Sequence, residues 1–574
     1  SRSLRGEARM NLRSALKPGV IGGIVITYLS FIGMVERFQD RNVITGLVGL
    51  GVVLMLVAYA ITSYTTARKS DSPLPTGIAV GFIAGTFVAL MTLGLEGLIN
   101  AGLDVRSMFV SVTPGLLETL EFGLNPLVGA VVMVLTSTIV GAIAGGLVKL
   151  DNHLRSAIVY ALGITLLMSL GEPILRVTLG NLKIPTGWLY ELGGLTFSGT
   201  VVVVAAAFGL RWWWMNRADV RKEAAALIPD GTRRTRSRAS LIAIIVVLIA
   251  LPWIVGPFVS DVLGTVGLYV LLGLGLNIVV GYAGLLDLGY VAFFAVGAYA
   301  AAIFTSPASF LVTEEGQQFA EAGFTNLWIA LPFVVIIAVI IGAAIGAPVL
   351  RLRGDYLAIV TLGFGEIIRT LVISDWLSPY LGGAQGLTRV PAAPPDSFDL
   401  RNPQHIYYLI LAFGILAAYI SYRLVDSRVG RAWAAMREDE DVAEAMGISV
   451  VRYKLLAFAM GAGVGSLGGV FFAAKIGSIF PNSFGLQVSI NVLAVIILGG
   501  IGSIPGVIVG AAALVGLPEL LREFGEFRLL IYGAILVAIM IFRPEGLIPN
   551  KRRQRELHEG QDPAPADLPE GAPS

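Results

Sequence analysis

RLVDSRVGRAWAAMREDEDVAEAMGISVVRYK, residues 423–454, is a charged island between two apolar runs of membrane length. The rest of the chain is greasy, with 14% charged residues and a mean hydropathy of +0.79. A charge at a bilayer centre costs roughly 2.5–3.5 kcal/mol even on a lenient scale. The island therefore belongs in water. Its middle reads as a helix, because Met436, Glu440, Ala443 and Gly447 follow one another at helical spacing and Gly447 is a natural stop. A short helix with a small-residue patch, standing out of a membrane protein, suits the docking of a partner.

Working outward, the 574 residues are 55% hydrophobic, with 69 glycines and no cysteine. A soluble chain carries nearer 25% charged residues, and glycine at this level fits membrane helices packed through small side chains. The expected fold class is all-α, a polytopic helical membrane protein of about 16 spans. No run has the strict period-2 alternation of an outer-membrane barrel strand. The absence of Cys removes disulfide and zinc–thiolate chemistry, and His153, His405 and His558 are too scattered for a ligand set. Neither a metal nor a cofactor is expected. The basic start, followed by an apolar run without an A-x-A site, does not read as a cleavable signal peptide.

Six candidate spans, near 19–35, 43–62, 76–99, 125–148, 156–171 and 195–214, form an expected N-terminal domain over 1–210. Basic residues fall in alternate loops: Arg2 to Lys17, then Arg68 and Lys69, then Lys149 and Arg155. The positive-inside rule then puts the N-terminus in the cytoplasm. Residues 211–238 hold eight Arg or Lys against three acids and open on Trp212, Trp213 and Trp214, an interfacial belt before a basic cytoplasmic linker. Such a segment is also suited to lie on anionic lipid. A second domain, 239–550, offers about ten spans, near 241–258, 265–282, 286–305, 327–350, 356–373, 405–423, 455–476, 488–500, 505–520 and 527–543. Ten crossings return the chain to the cytoplasm beside Lys551, Arg552, Arg553 and Arg555, and place the island there too. The runs at 286–305 and 488–500 are short or broken by glycine, which fits discontinuous helices. Residues 551–574 read as a disordered cytoplasmic tail.

Enzymatic motifs are absent. There is no G-x-x-x-x-G-K-[ST] loop; the nearest approach, Gly469 to Ile476, lacks the second glycine and the hydroxyl. No nucleophile–base pair is evident, so any ATPase driving this chain is another polypeptide.

Six segments, in order, resemble the permease subunits of the branched-chain amino-acid ABC transporter family. They are Gly273 to Ala302 (GLGLNIVVGYAGLLDLGYVAFFAVGAYAAA), Leu352 to Arg369 (LRGDYLAIVTLGFGEIIR), Gly382 to Pro391 (GGAQGLTRVP), Val429 to Ala457, Asn491 to Gly506 (NVLAVIILGGIGSIPG) and Phe542 to Pro549 (FRPEGLIP). The resemblance covers about 240–550; residues 1–210 lie outside it. It implies a multi-pass subunit of the cytoplasmic membrane that imports branched-chain or related small amino acids. The implied partners are a second permease subunit, two cytoplasmic ATP-binding subunits and an extracytoplasmic solute-binding protein, within a lipid bilayer and without nucleic acid. It also implies that the island is the loop coupling the permease to the ATPase, in a looser form of the E-A-A-x-x-x-G pattern. Arg431, Arg437, Glu440, Ala443, Glu444 and Gly447 would make that coupling surface, with the small Ala443 and Gly447 letting the helix enter a groove on the ATPase and Arg431, Arg437 and Glu444 at its rim.

Polar residues inside apolar runs are the candidates for the translocation pathway: Asn277, Asp287, Glu366, Arg369 and Asn491, with Lys475 beside them. Glu366 and Arg369, at i and i+3, could equally be a structural pair. Asp287, between Gly284 and Gly289, could equally cap a broken helix. The glycines of 499–506 suit either a broken helix near a pore or a tight turn. A rival reading is an ion-coupled secondary transporter or channel, whose ion site would be these same charges.

Overall fold

The protein is described here by a computed structural model. It describes residues 12–217, 230–306 and 326–549, apart from 40, 110, 192, 350, 351, 353, 391–398, 523, 524 and 526. The expected tail, the middle of the basic linker and the acidic loop after residue 306 lie outside the described residues.

The chain divides into two compact units between Val246 and Val247. In the first, six helices follow the apolar runs: α1 (Leu12–Phe31), α2 (Leu50–Ala67), α3 (Pro73–Asn100), α4 (Pro126–Lys149), α5 (Asn152–Leu170) and α6 (Phe197–Asn216). Proline opens both α3 and α4, where its missing N–H costs nothing. Glycine lets these two approach at backbone distance: a Cβ on Gly145 would stand 2.6 Å from the Pro73 carbonyl oxygen. The run at 43–49 departs from the expected second span. It forms strands β1 (Asn42–Ile44) and β2 (Val48–Gly49), turned at Gly46 (φ 71°). They join β3 (Tyr190–Glu191) and β4 (Gly194–Leu195) in a small sheet, in which β1 runs parallel to β4.

The second unit begins within α7 (Asp230–Leu276), whose helical course is interrupted at Gly256 (φ 80°, ψ −179°). This break falls near the end of the first of the two apolar runs expected here, 241–258 and 265–282. Tyr407 and Tyr408 donate hydrogen bonds to the carbonyls of Leu248 and Ile249 before the break, while Ile410 packs at Gly267 after it. A π-helical segment, Asn277–Tyr282, ends α7. An irregular stretch then leads to α8 (Val291–Thr305), followed by α9 (Leu327–Val349), α10 (Asp355–Ile373) and α11 (Pro403–Val425). The island folds as α12 (Arg428–Glu438) and α13 (Glu440–Ala445). The remaining helices are α14 (Val450–Ile476), α15 (Leu486–Gly499), α16 (Ile504–Ala511) and α17 (Phe527–Phe542). Strands β5 (Leu387–Thr388) and β6 (Ser478–Ile479) pair antiparallel.

The core of this unit is the seam of α7, α8 and α14. Phe293, Phe458 and Phe471 are fully buried, and the Tyr290 hydroxyl donates to the Gly461 carbonyl at 2.8 Å. Among the described residues, eleven helices are long and apolar enough to cross a membrane, and four shorter apolar helices accompany them. The chain is a multi-pass helical membrane protein. The expected figure of about 16 spans treats the pieces on either side of Gly256, and the short helices, as full crossings.

Candidate functional site

The island folds as a braced handle. Ser427 caps α12, its Oγ accepting from the amides of Val429 and Gly430. The expectation of one continuous helix through Met436 to Gly447 is not met, because Asp439 is extended (φ −157°, ψ 118°) and breaks it. Its carboxylate instead caps α13, accepting from the amides of Asp441 and Val442 at 2.9 and 3.0 Å. The far end closes at Gly447, whose φ of +86° is the left-handed conformation that favours glycine. There the Ile448 amide reaches the Ala443 carbonyl and the Gly447 amide reaches Glu444, which satisfies the last carbonyls of a very short helix.

Two contacts tie this handle to the base of α14. Trp433 is fully buried, and its indole N–H donates to the Tyr453 carbonyl at 2.8 Å. Lys454, also buried, meets the Glu440 carboxylate at 2.8 Å. Ala443 lies inside the fold, only 3% exposed. It packs against this chain's own core, on the inward face of the handle. The outward face presents Val442 (59% exposed) and Met446 (79%), with Glu444 and Gly447 beside them. Arg431 is exposed and donates to the Asp426 carbonyl.

Arg437, in the last turn of α12, reaches back to the membrane bundle. Its guanidinium donates to the Gly281 carbonyl in the π-helical segment at 2.8 Å. Its aliphatic stem covers Gly284, where a Cβ would sit 2.8 Å from Arg437 Cγ. One turn back from Gly281, the side-chain oxygen of buried Asn277 accepts from the Gly502 amide at 2.8 Å. Gly502 belongs to the turn joining α15 to α16. That turn packs on the segment after α17, whose Leu547 and Ile548 amides donate to the carbonyls of Leu498 and Gly499. Four of the segments singled out in the sequence thus meet at one point.

The other polar residues lie apart from this node. Asp287 is buried in the irregular stretch before α8, where Oδ1 accepts from the Gly289 amide at 2.9 Å. Thr361 of α10 accepts from the neighbouring Leu288 amide. Glu366 and Arg369 pair at 3.0 Å on α10 with side chains 40% and 35% exposed, on the outside of the unit. Asn491, half-buried, accepts from Gln487. Lys475 is bound at the far end of α14 by Asp261 and by the Thr265 hydroxyl. Lys454 and Trp433 were not foreseen as functional; a lone lysine at the start of the apolar run 455–476 was the available signal for the first. Among the described residues no group of three or more His, Asp or Glu is placed to hold a metal ion.

Known proteins match this chain in sequence. The family described as branched-chain amino acid transport system / permease component matches residues 258–542, from just past the Gly256 break to the end of α17. The LivM permease of the high-affinity branched-chain amino acid transport system of Salmonella typhimurium is 35% identical over 412 residues, 64% of this chain and 92% of that protein. The chain belongs to this permease family. The LivM permease of Escherichia coli is likewise 35% identical, over 411 residues. The LivH permease of the same bacterium is 25% identical over 296 residues, covering 49% of this chain and 91% of LivH. No solved structure matches. Within this permease, the handle, the π-helical segment and the 499–506 turn fall inside the matched family region, which ends at Phe542, the first residue of the terminal FRPEGLIP motif.

Proposed function

We propose that this permease is the translocating subunit of an ABC importer for branched-chain or related small amino acids. ATP would be hydrolysed by two separate cytoplasmic subunits, a second permease subunit would complete the pore, and an extracytoplasmic binding protein would deliver the solute. The chain would lie in the cytoplasmic membrane with both termini and the handle on the cytoplasmic side. The alternating basic loops support that orientation.

The observation that carries the reading is the handle itself. A membrane protein that exposes Val442 and Met446 on a capped, rigidly braced helix presents an apolar knob to water. Such a knob is suited to a protein groove, and the flanking Arg431 and Glu444 to setting its register. A brace of buried Trp433 and Lys454 lets a push on the knob move α14 as one body. Solute specificity in this scheme resides mainly in the binding protein, so no deep selective pocket is required of this chain. The rival, an ion-coupled carrier or channel, draws on Asp287, whose Oδ2 is buried without a hydrogen-bond partner.

Reconstitution separates the two. The permease alone in liposomes should pass no leucine under an ion gradient. The full assembly with ATP-binding subunits and loaded binding protein should accumulate leucine only with ATP inside. Ion-driven uptake by the isolated chain would overturn the reading.

A further inference from the structure

We propose that Arg437 is a positioning residue that carries movement of the handle into the membrane bundle, through a relay of the Gly281 carbonyl, Asn277 and the Gly502 amide. The inference rests on the importer reading above and names the route by which that handle acts. The route is built from groups that cannot separate cheaply. Gly281 lies in the π-helical segment that ends α7, and a wide turn of this kind is a weak point that often marks a functional site. Arg437 donates to that carbonyl with a charge-assisted hydrogen bond, while its stem fills the space above Gly284 (φ +75°).

Behind this contact the packing is dense. A Cβ on Gly281 would collide with Asn277 Oδ1 and stand 2.9 Å from the Gly502 amide nitrogen. The Asn277 side chain therefore has nowhere to relax within the segment, and a shift of the Gly281 peptide is felt at Gly502. From there the turn is pressed against the segment after α17: a Cβ on Gly500 would sit 2.7 Å from the Ile548 carbonyl, and one on Gly546 would sit 2.7 Å from Gly500 Cα. Displacing the handle thus moves α14 through Trp433 and Lys454, and moves α7, α15, α16 and the end of α17 through Arg437. Arg437 is itself solvent-exposed, so its role is not that of a core residue.

The test uses the full assembly in proteoliposomes with radiolabelled leucine, ATP and the binding protein. Arg437→Met keeps the stem over Gly284 and removes only the charged donor. Uptake should fall about tenfold or more, the scale of one lost charge-assisted hydrogen bond. The ATP-binding subunits should still co-purify in wild-type ratio, and their ATPase rate should stop responding to the loaded binding protein. Arg437→Lys should restore most of the coupling. Asn277→Leu should give the same uncoupled behaviour, and the double variant should be no worse than either single one, because both break one path. Wild-type uptake in Arg437→Met would overturn the relay. So would loss of the ATP-binding subunits, which would make Arg437 a docking residue, or additive losses in the double variant. A wild-type assembly that recruits no ATP-binding subunits would overturn the importer reading first, and this inference with it.

Discussion

The ammonium of Lys454, buried at the first turn of α14, stands 2.8 Å from the carboxylate of Glu440, at the first turn of α13. Removing one partner of a buried pair leaves an uncompensated charge, which typically costs about 3–5 kcal/mol. Glu440 keeps some contact with water and can be solvated when left alone, whereas Lys454 cannot, so the loss of Glu440 should cost more than the loss of the Lys454 charge. Glu440→Gln is expected to leave folding intact but loosen α13, seen as faster amide exchange over 440–447. Lys454→Met, which removes the charge from the buried side, should be tolerated better than Lys454→Ala. Equal exchange in all three variants would show that the pair does not hold the handle.

The exposed knob makes a separate prediction. Val442→Asp with Met446→Asp places charge where the proposed groove is apolar while touching no buried contact of the handle. Thermal stability in detergent should stay within about 0.5 kcal/mol of wild type, as for ordinary surface changes. Co-purification of the ATP-binding subunits should be lost. Gly447→Ala acts differently: space is open around a Cβ there, but the left-handed backbone strains any other residue, by roughly 1 kcal/mol. It should fray the end of α13 and weaken association without abolishing it. Unchanged association in the double Asp variant would place the docking surface elsewhere.

Most of the spans are legible in hydropathy because a bilayer excludes charge and forces each crossing into a helix of known length. The six of the first unit fall where the apolar runs lie. The failure at 43–49 is instructive: those residues are apolar enough to begin a helix, but their partner strand β4 lies some 150 residues on, and local pattern cannot show it. The break at Asp439 was legible in principle, since an Asp before an acidic first turn is a helix start. The face Ala443 turns inward could not be read, because spacing names a helix face and not what covers it. The Asn277 to Gly502 contact, 225 positions apart, is equally invisible before the fold is known. The glycines on both sides of it were conspicuous, but their reason was not.

In the first unit, Glu121 at the end of a short helix is buried, and its Oε1 has no hydrogen-bond partner. Burial, with Glu96 adding to it, raises its carboxyl above the ordinary carboxylate range. A carboxyl raised in the fold favours the protonated form, so its stability contribution is full below the unfolded value near pH 4.3 and is lost as pH rises through the folded one. Glu121→Gln should therefore be more stable than wild type at neutral pH, and the gap should close as pH falls toward about 4. Melting curves of both proteins across that window check it. A gap that does not change with pH would mean that Glu121 ionises freely.

The Glu366–Arg369 pair sits near the middle of α10 yet is partly exposed on the outside of its unit. Facing lipid there, even a paired charge is expensive, so this face of α10 should border a water-filled path or a second permease. Gly363 stands one turn before Glu366, and no atom lies within 4 Å of where its Cβ would be. The chain has no cysteine, so Gly363→Cys introduces a single thiol into open space. In the assembled importer that thiol should react with a membrane-impermeant maleimide, and trapping the ATP-bound state should change its labelling rate. An Ile340→Cys control on α9, 61% exposed in an uncharged helix, should stay unlabelled in lipid. A Gly363→Cys thiol that reacts only with a lipid-soluble reagent would put the pair against hydrocarbon and remove it from the translocation path.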